Sequence, residues 1–211
     1  GDVDQAKEIY EFARVPYERI EPVAESFGVL DPAIDARVND VAKGDPWTGF
    51  HPLEQALWVN GKLTGTDSNL ADELVANVKK LQRLAANNTY DPVTLANGAV
   101  ELLNEVSQSK ITGEEERYSH TDLTDFKANI DGAEEAFILL KPALEDSDPE
   151  LASEIEERFA DMNALLDQYK VKGDIYENYE NISEKQRQEL SQAVDALAQP
   201  LAEMGGQIVA Q

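Results

Sequence analysis

Apolar residues recur along this chain at alternating intervals of three and four, and no stretch alternates convincingly with period two. That spacing belongs to α-helices that bury one face. Phe126, Ile130, Ala133, Phe137, Leu140 and Leu144 make one stripe, and Leu151, Ile155, Phe159, Met162, Leu166 and Tyr169 another. Leu95, Ala99, Leu102 and Val106 make a third, and Leu190, Val194, Leu197, Leu201, Met204 and Ile208 a fourth. Asp31-Pro32, Asp91-Pro92 and Asp148-Pro149 read as helix starts, with Asp as the cap and Pro at the first helical position, where an N–H is not needed. Asp67 reads as a further cap, and Ser119 or Thr121 as the cap of the helix through Phe126. Gly113, Gly173 and the pair Gly205-Gly206 predict ends or breaks. The expectation is an all-α chain of about six or seven helices of roughly 15 to 25 residues, more than one four-helix bundle needs. Two packed helical bundles, residues 1–107 and 108–211, forming one unit are the economical arrangement.

Charge narrows the partners. The chain carries 42 acidic against 18 basic residues, a formal net charge of −24, so phosphate backbones are repelled and nucleic acid is excluded as a partner. A cation is the natural ligand, although excess acid also serves solubility. No apolar run approaches the roughly 18 residues of a membrane span. The absence of cysteine removes disulfides, thiolate metal sites and cysteine nucleophiles. The opening at Gly1-Asp2 is expected to be that of a mature or trimmed exported product.

The most informative segment is Trp47-Thr48-Gly49-Phe50-His51-Pro52-Leu53-Glu54, followed by Gln55-Ala56-Leu57-Trp58. Thr48 is placed to cap a helix whose first turn tolerates Pro52. His51 and Glu54 then share a face, about 5–6 Å apart at Cβ, and can hold one borderline metal through nitrogen and oxygen. As a bare pair, His-x-x-Glu also occurs by chance. The zinc-protease pattern His-Glu-x-x-His fails, because Gln55 stands four residues after His51.

A second acidic group opens the chain. In Arg14 to Glu25, Pro16, Ile20, Val23 and Phe27 fall on one helical face, and Arg14, Glu18, Glu21 and Glu25 on the other. Glu18 and Glu21 at spacing three offer paired hard oxygens to Fe³⁺ or Ca²⁺; the plain alternative is a solvated acidic face. Pro16 and Pro22 within one helix each cost about 3 kcal/mol unless the chain begins or bends there. Asp35 adds an oxygen if the chain folds back after Gly28, or else pairs with Arg37 or a neighbouring helix. Glu114 follows the Gly113 break, where a carboxylate can reach into a cleft, whereas His120 reads as structural. No glycine-rich phosphate loop or nucleophile elbow is present.

Arg14-Val15-Pro16-Tyr17-Glu18-Arg19-Ile20-Glu21-Pro22, Trp47 to Glu54, Asn97-Gly98-Ala99-Val100-Glu101-Leu102-Leu103 and Ile111-Thr112-Gly113-Glu114-Glu115 together resemble the imelysin-like domain of EfeO- and EfeM-type iron-uptake proteins, over roughly residues 3–208. The resemblance implies two helical bundles with a metal site in the cleft between them, in a periplasmic or otherwise extracytoplasmic protein. It implies His51 and Glu54 as motif ligands, with Glu18, Glu21, Asp35 and Glu114 at acidic positions suited to metal. It implies iron, Fe³⁺ or Fe²⁺, as the ion, with Zn²⁺ or Cu²⁺ taken in vitro. The implied partners are an inner-membrane iron permease and a haem peroxidase-like protein, and the chain is expected to be a monomer, lipid-anchored before trimming. No cupredoxin region precedes the resemblance in this sequence, which matches the short EfeM-type form or an excised domain. A non-enzymatic iron-binding role is the expectation. The rivals are a metallopeptidase-like zinc hydrolase with Glu54 as general base, and an acidic-polysaccharide-binding helical protein.

Overall fold

The computed structural model describes residues 2–209, without the side chains of Glu25 and Val209. Gly1 and the Glu25 side chain, both named above, lie outside the described residues. The described helices are α1 (Val3–Ala24), α2 (Leu30–Asp35), α3 (Phe50–Gln55), α4 (Gly65–Ala85), α5 (Pro92–Gln108), α6 (Asp122–Ser147), α7 (Pro149–Asp167) and α8 (Glu184–Val209). The protein is all-α apart from one small antiparallel hairpin, β1 (Lys170–Lys172) and β2 (Ile175–Tyr176), which turns at Gly173 with φ 58°.

Local chemistry explains most boundaries. The Asp91 carboxylate accepts from Val93 N at 2.9 Å and the Asp148 carboxylate from Leu151 N at 3.0 Å, each with Pro at the next position. Three expected boundaries differ. Helix α2 starts at Leu30, so Asp31 lies in its first turn. Asp67 accepts from Thr64 N at 2.6 Å from inside the first turn of α4, leaving Thr64 as the cap. Helix α8 runs straight through Gly205-Gly206. A Cβ at Gly205 would meet Asn97 Oδ1 at 3.5 Å and the Ala96 Cβ at 3.7 Å, ordinary contact distances, so neither a stop nor a packing need for glycine is seen there.

The chain divides into two compact units built from interleaved segments. One comprises the residues up to Arg14, Ala24–Thr89 and the four residues Glu116–Ser119. The other comprises Val15–Val23, Tyr90–Glu115 and the chain from His120 onward.

The second unit holds the larger apolar core. All six residues of the Phe126–Leu144 stripe are buried, as are those of the Leu151–Tyr169 stripe, and Leu102, Val106, Leu190, Val194, Leu197, Leu201 and Met204 join them. Phe137 and Phe159 stack at 5.7 Å between ring centroids. The Val15–Val23 stretch of α1 is gripped where side chains are missing. A Cβ at Gly98 would sit 1.9 Å from Pro22 O, and one at Gly132 would sit 2.3 Å from Arg19 O. The arginine Arg187 caps Tyr179 at 4.4 Å over its ring and donates to Tyr179 O at 3.1 Å.

In the first unit, α2, α3 and α4 pack around Leu30, Ile34, Phe50, Leu57, Leu74 and Leu81, all buried. Helix α1 departs from the apolar rule. Its residues Ile9, Phe12 and Pro16 are exposed, whereas Tyr10, Arg14, Tyr17 and Glu18 are buried. The polar face, not the apolar one, is turned inward. Both prolines are accommodated within one unbroken 22-residue helix.

Candidate metal centre

Helix α3 is placed by the three residues before it. Trp47 donates through Nε1 to Ala36 O at 2.7 Å, and Thr48 through Oγ1 to Ala33 O at 3.0 Å, so the chain runs back along α2. Thr48 is therefore spent on α2, and Gly49 takes the cap position expected for it. Gly49 has φ 95° and ψ −152°, a conformation essentially confined to glycine. A Cβ there would lie 2.1 Å from Ile34 O. This close approach brings the first turn of α3 beside the end of α2, and hence His51 beside Asp35. After Gln55 the helix widens into a π-turn, Ala56–Asn60, closed by Gly61 in the left-handed region.

His51 and Glu54 are both buried and face each other, Nδ1 to Oε2 at 3.4 Å. On the other side of the ring, His51 Nε2 lies 3.5 Å from Asp35 Oδ1. Glu116, buried, brings Oε1 to 3.9 Å from His51 Nδ1. One ligand atom each from His51, Glu54 and Glu116 fall within 4.8 Å of one another, close enough to share an ion.

The carboxylates are fixed from behind. Glu54 Oε1 accepts from Tyr118 N and Ser119 N, each at 2.7 Å. The Ser119 hydroxyl lies 3.0 Å from that oxygen and 2.7 Å from Glu116 Oε2, and its single proton serves one at a time. Tyr10 donates through its hydroxyl to Glu116 Oε1 at 3.3 Å. The fully buried Arg14 guanidinium pairs with Asp35 through one nitrogen and with Glu116 Oε1 through Nε at 2.6 Å, and stacks over Phe50 at 5.2 Å. Burial alone would push the Glu54 carboxyl up. The hydrogen bond from His51, the Ser119 N–H, the His51 charge and the Tyr118 N–H outweigh it and hold the carboxyl below its ordinary range.

The sequence-predicted residues thus separate into groups. His51, Glu54 and Asp35 come together in the first unit. Glu18 and Glu21 come together in the second, where Lys110 donates to Glu18 Oε2 at 3.0 Å and to both Glu21 oxygens at 2.7 Å. Asn129 Nδ2 joins them at 2.9 Å from Glu18 Oε2 and 2.6 Å from Glu21 Oε2. Glu114 is exposed at the turn after Gly113. Sequence reasoning gave no role to Glu116 or Lys110, and read Arg14 only as a possible neighbour of the acidic face. Three consecutive glutamates at 114–116 carry no spacing signal that singles out the third. The available clue for Arg14 was its place on the same helical face as Glu18 and Glu21.

A buried imidazole flanked by three carboxylates, braced by an arginine and backbone amides, marks a helical protein with a candidate mixed nitrogen–oxygen cation site. The chain belongs to the imelysin family, also designated peptidase M75, whose model matches residues 1–204. An Efem/EfeO family lipoprotein of Staphylococcus haemolyticus (strain JCSC1435) is 48% identical over 206 residues, spanning 96% of this chain and 71% of the relative. Another, from Staphylococcus aureus (strain MRSA252), is 46% identical over 207 residues, spanning 97% and 73%. No described helix is long and apolar enough to cross a membrane.

Proposed function

We propose that this chain is an extracytoplasmic iron-binding protein that captures Fe²⁺ or Fe³⁺ for a membrane permease, in a system that also contains a haem peroxidase-like protein. The observation that carries the proposal is the convergence of His51, Glu54, Asp35 and Glu116. They come from three separate stretches of chain onto one buried locus, with ligand atoms 3.4 to 3.9 Å from the imidazole nitrogens. Imidazole with carboxylates suits iron, and Zn²⁺ or Cu²⁺ compete for the same donors. The lipoprotein designation of the two relatives supports an extracytoplasmic setting.

A binding role is favoured over peptide hydrolysis by the state of Glu54. A general base near neutral pH needs an accessible lone pair and a pKa close to the operating pH. Glu54 Oε1 is taken up by two backbone N–H groups, and its carboxyl is held low rather than raised. Protons compete with metal for the imidazole and carboxylate donors, so affinity falls on acidification.

Anaerobic calorimetry with Fe²⁺, repeated with ferric citrate, tests the reading. His51→Ala is expected to weaken binding by more than the roughly 10–100-fold that loss of a supporting residue costs, with an unchanged helical spectrum. An isotherm identical to that of the native chain would remove His51 from the site and the proposal with it.

A further inference from the structure

The second unit contains a buried ionic cluster that the iron-binding reading leaves unused. Glu18 is fully buried and Glu21 is 15% exposed, and three of their four oxygens accept from one ammonium, that of Lys110, itself 4% exposed. Glu115 adds a further carboxylate 3.9 Å from the same Nζ. Asn129, fully buried, donates to Glu18 and Glu21 through Nδ2, while its Oδ1 has no hydrogen-bond partner among the described residues.

We propose that Lys110 is a tethered counter-cation, occupying the Glu18–Glu21 carboxylate pair and thereby closing that pair to metal ions. The backbone holds these carboxylates in place independently of the lysine. Gly98 lies against Pro22 O and Gly132 against Arg19 O, so the stretch carrying Glu18 and Glu21 cannot relax without losing two close contacts. Carboxylates fixed so close demand a positive partner. An ammonium on a short covalent tether meets that demand at high effective concentration. An arriving metal would have to displace it and leave a second buried positive charge alongside. Removal of the ammonium leaves four acidic oxygens, and a half-turn of the Asn129 amide would add its Oδ1: an all-oxygen set that suits hard cations.

The test is Mn²⁺ stoichiometry by equilibrium dialysis at physiological salt. Lys110→Met is expected to bind one equivalent more than the native chain, at a Mn²⁺ concentration where the native chain adds none. That extra equivalent should persist in Lys110→Met/His51→Ala, so the result is independent of the His51 cluster and of its assigned role. Glu21→Gln, which keeps Lys110 and an acceptor for it, is expected to bind the same number of ions as the native chain. The proposal is overturned if Glu21→Gln loses an equivalent, since the pair would then hold metal beside the lysine. It is equally overturned if folded Lys110→Met gains none. Should Lys110→Met fail to fold, the Glu21→Gln comparison decides alone.

Discussion

Arg14→Met isolates the electrostatic frame of the His51 cluster. The guanidinium is fully buried and serves Asp35 and Glu116 together, with Nε 2.6 Å from Glu116 Oε1. Removing one partner of a buried ion pair costs about 3–5 kcal/mol, because the other charge is left uncompensated. Here one cation answers two carboxylates, so a loss of about 5 kcal/mol, at the upper end of that range, is expected. Methionine keeps the aliphatic stem over Phe50, which limits any loss of packing. Urea unfolding followed by circular dichroism at 222 nm measures the change, with midpoint and slope read separately. The same titration in excess Mn²⁺ carries the functional content. A ligand at 100 times its Kd adds about 2.7 kcal/mol to the native state. A divalent ion that takes the carboxylates Arg14 has released should therefore raise the variant's midpoint more than the native one. A loss below about 1 kcal/mol would refute the buried-pair reasoning. A full loss with an equal metal shift in both proteins would show the frame to be structural only.

Gly49→Ala places a Cβ 2.1 Å from Ile34 O at a φ of 95°, and is expected to cost about 1–3 kcal/mol in urea unfolding and to weaken metal binding by separating α3 from Asp35. Glu54 has a folded-state pKa below its ordinary 4.5, so its contribution to stability is present above that pH and is lost as pH falls through the lower folded value. The stability gap between the native chain and Glu54→Gln should therefore narrow below pH 4.5, and a gap independent of pH would contradict the assignment. Burial raises the Tyr179 phenol well above 10.0, against the opposing charge of Arg187, and Asp122 and Tyr169 raise it further. A raised folded pKa means stability is lost as pH climbs past the unfolded value, so Tyr179→Phe should flatten the alkaline limb of the stability curve. At neutral pH the same variant should cost about 1 kcal/mol for the lost hydrogen bond to Ile111 O.

Much of the second unit was legible in the amino-acid order, because its elements obey the apolar rule. The stripe from Phe126 to Leu144 is buried throughout, and Asp91-Pro92 and Asp148-Pro149 start helices as their chemistry requires. His51 and Glu54 were legible as a pair because spacing three on a helix fixes their proximity. Other features resist that reading. Helix α1 turns Arg14 and Glu18 inward and Phe12 outward, since a charge network can replace apolar contact when every member is paired. Glu116 reaches the His51 ring only through a turn whose course depends on long-range partners, including Tyr118 and Ser119 on Glu54. Gly205 and Gly206 mimic a helix stop, yet α8 continues through both to Val209.

The interleaving of segments has a consequence for biosynthesis. Four residues, Glu116–Ser119, supply the first unit with a carboxylate beside His51 and the amides that clasp Glu54. A nascent or truncated polypeptide ending before them carries the His-x-x-Glu sequence yet has neither the neighbouring acid nor the anchor for Glu54. A metal site built on His51 would therefore be completed only once Glu116–Ser119 have been synthesised and folded back onto the first unit.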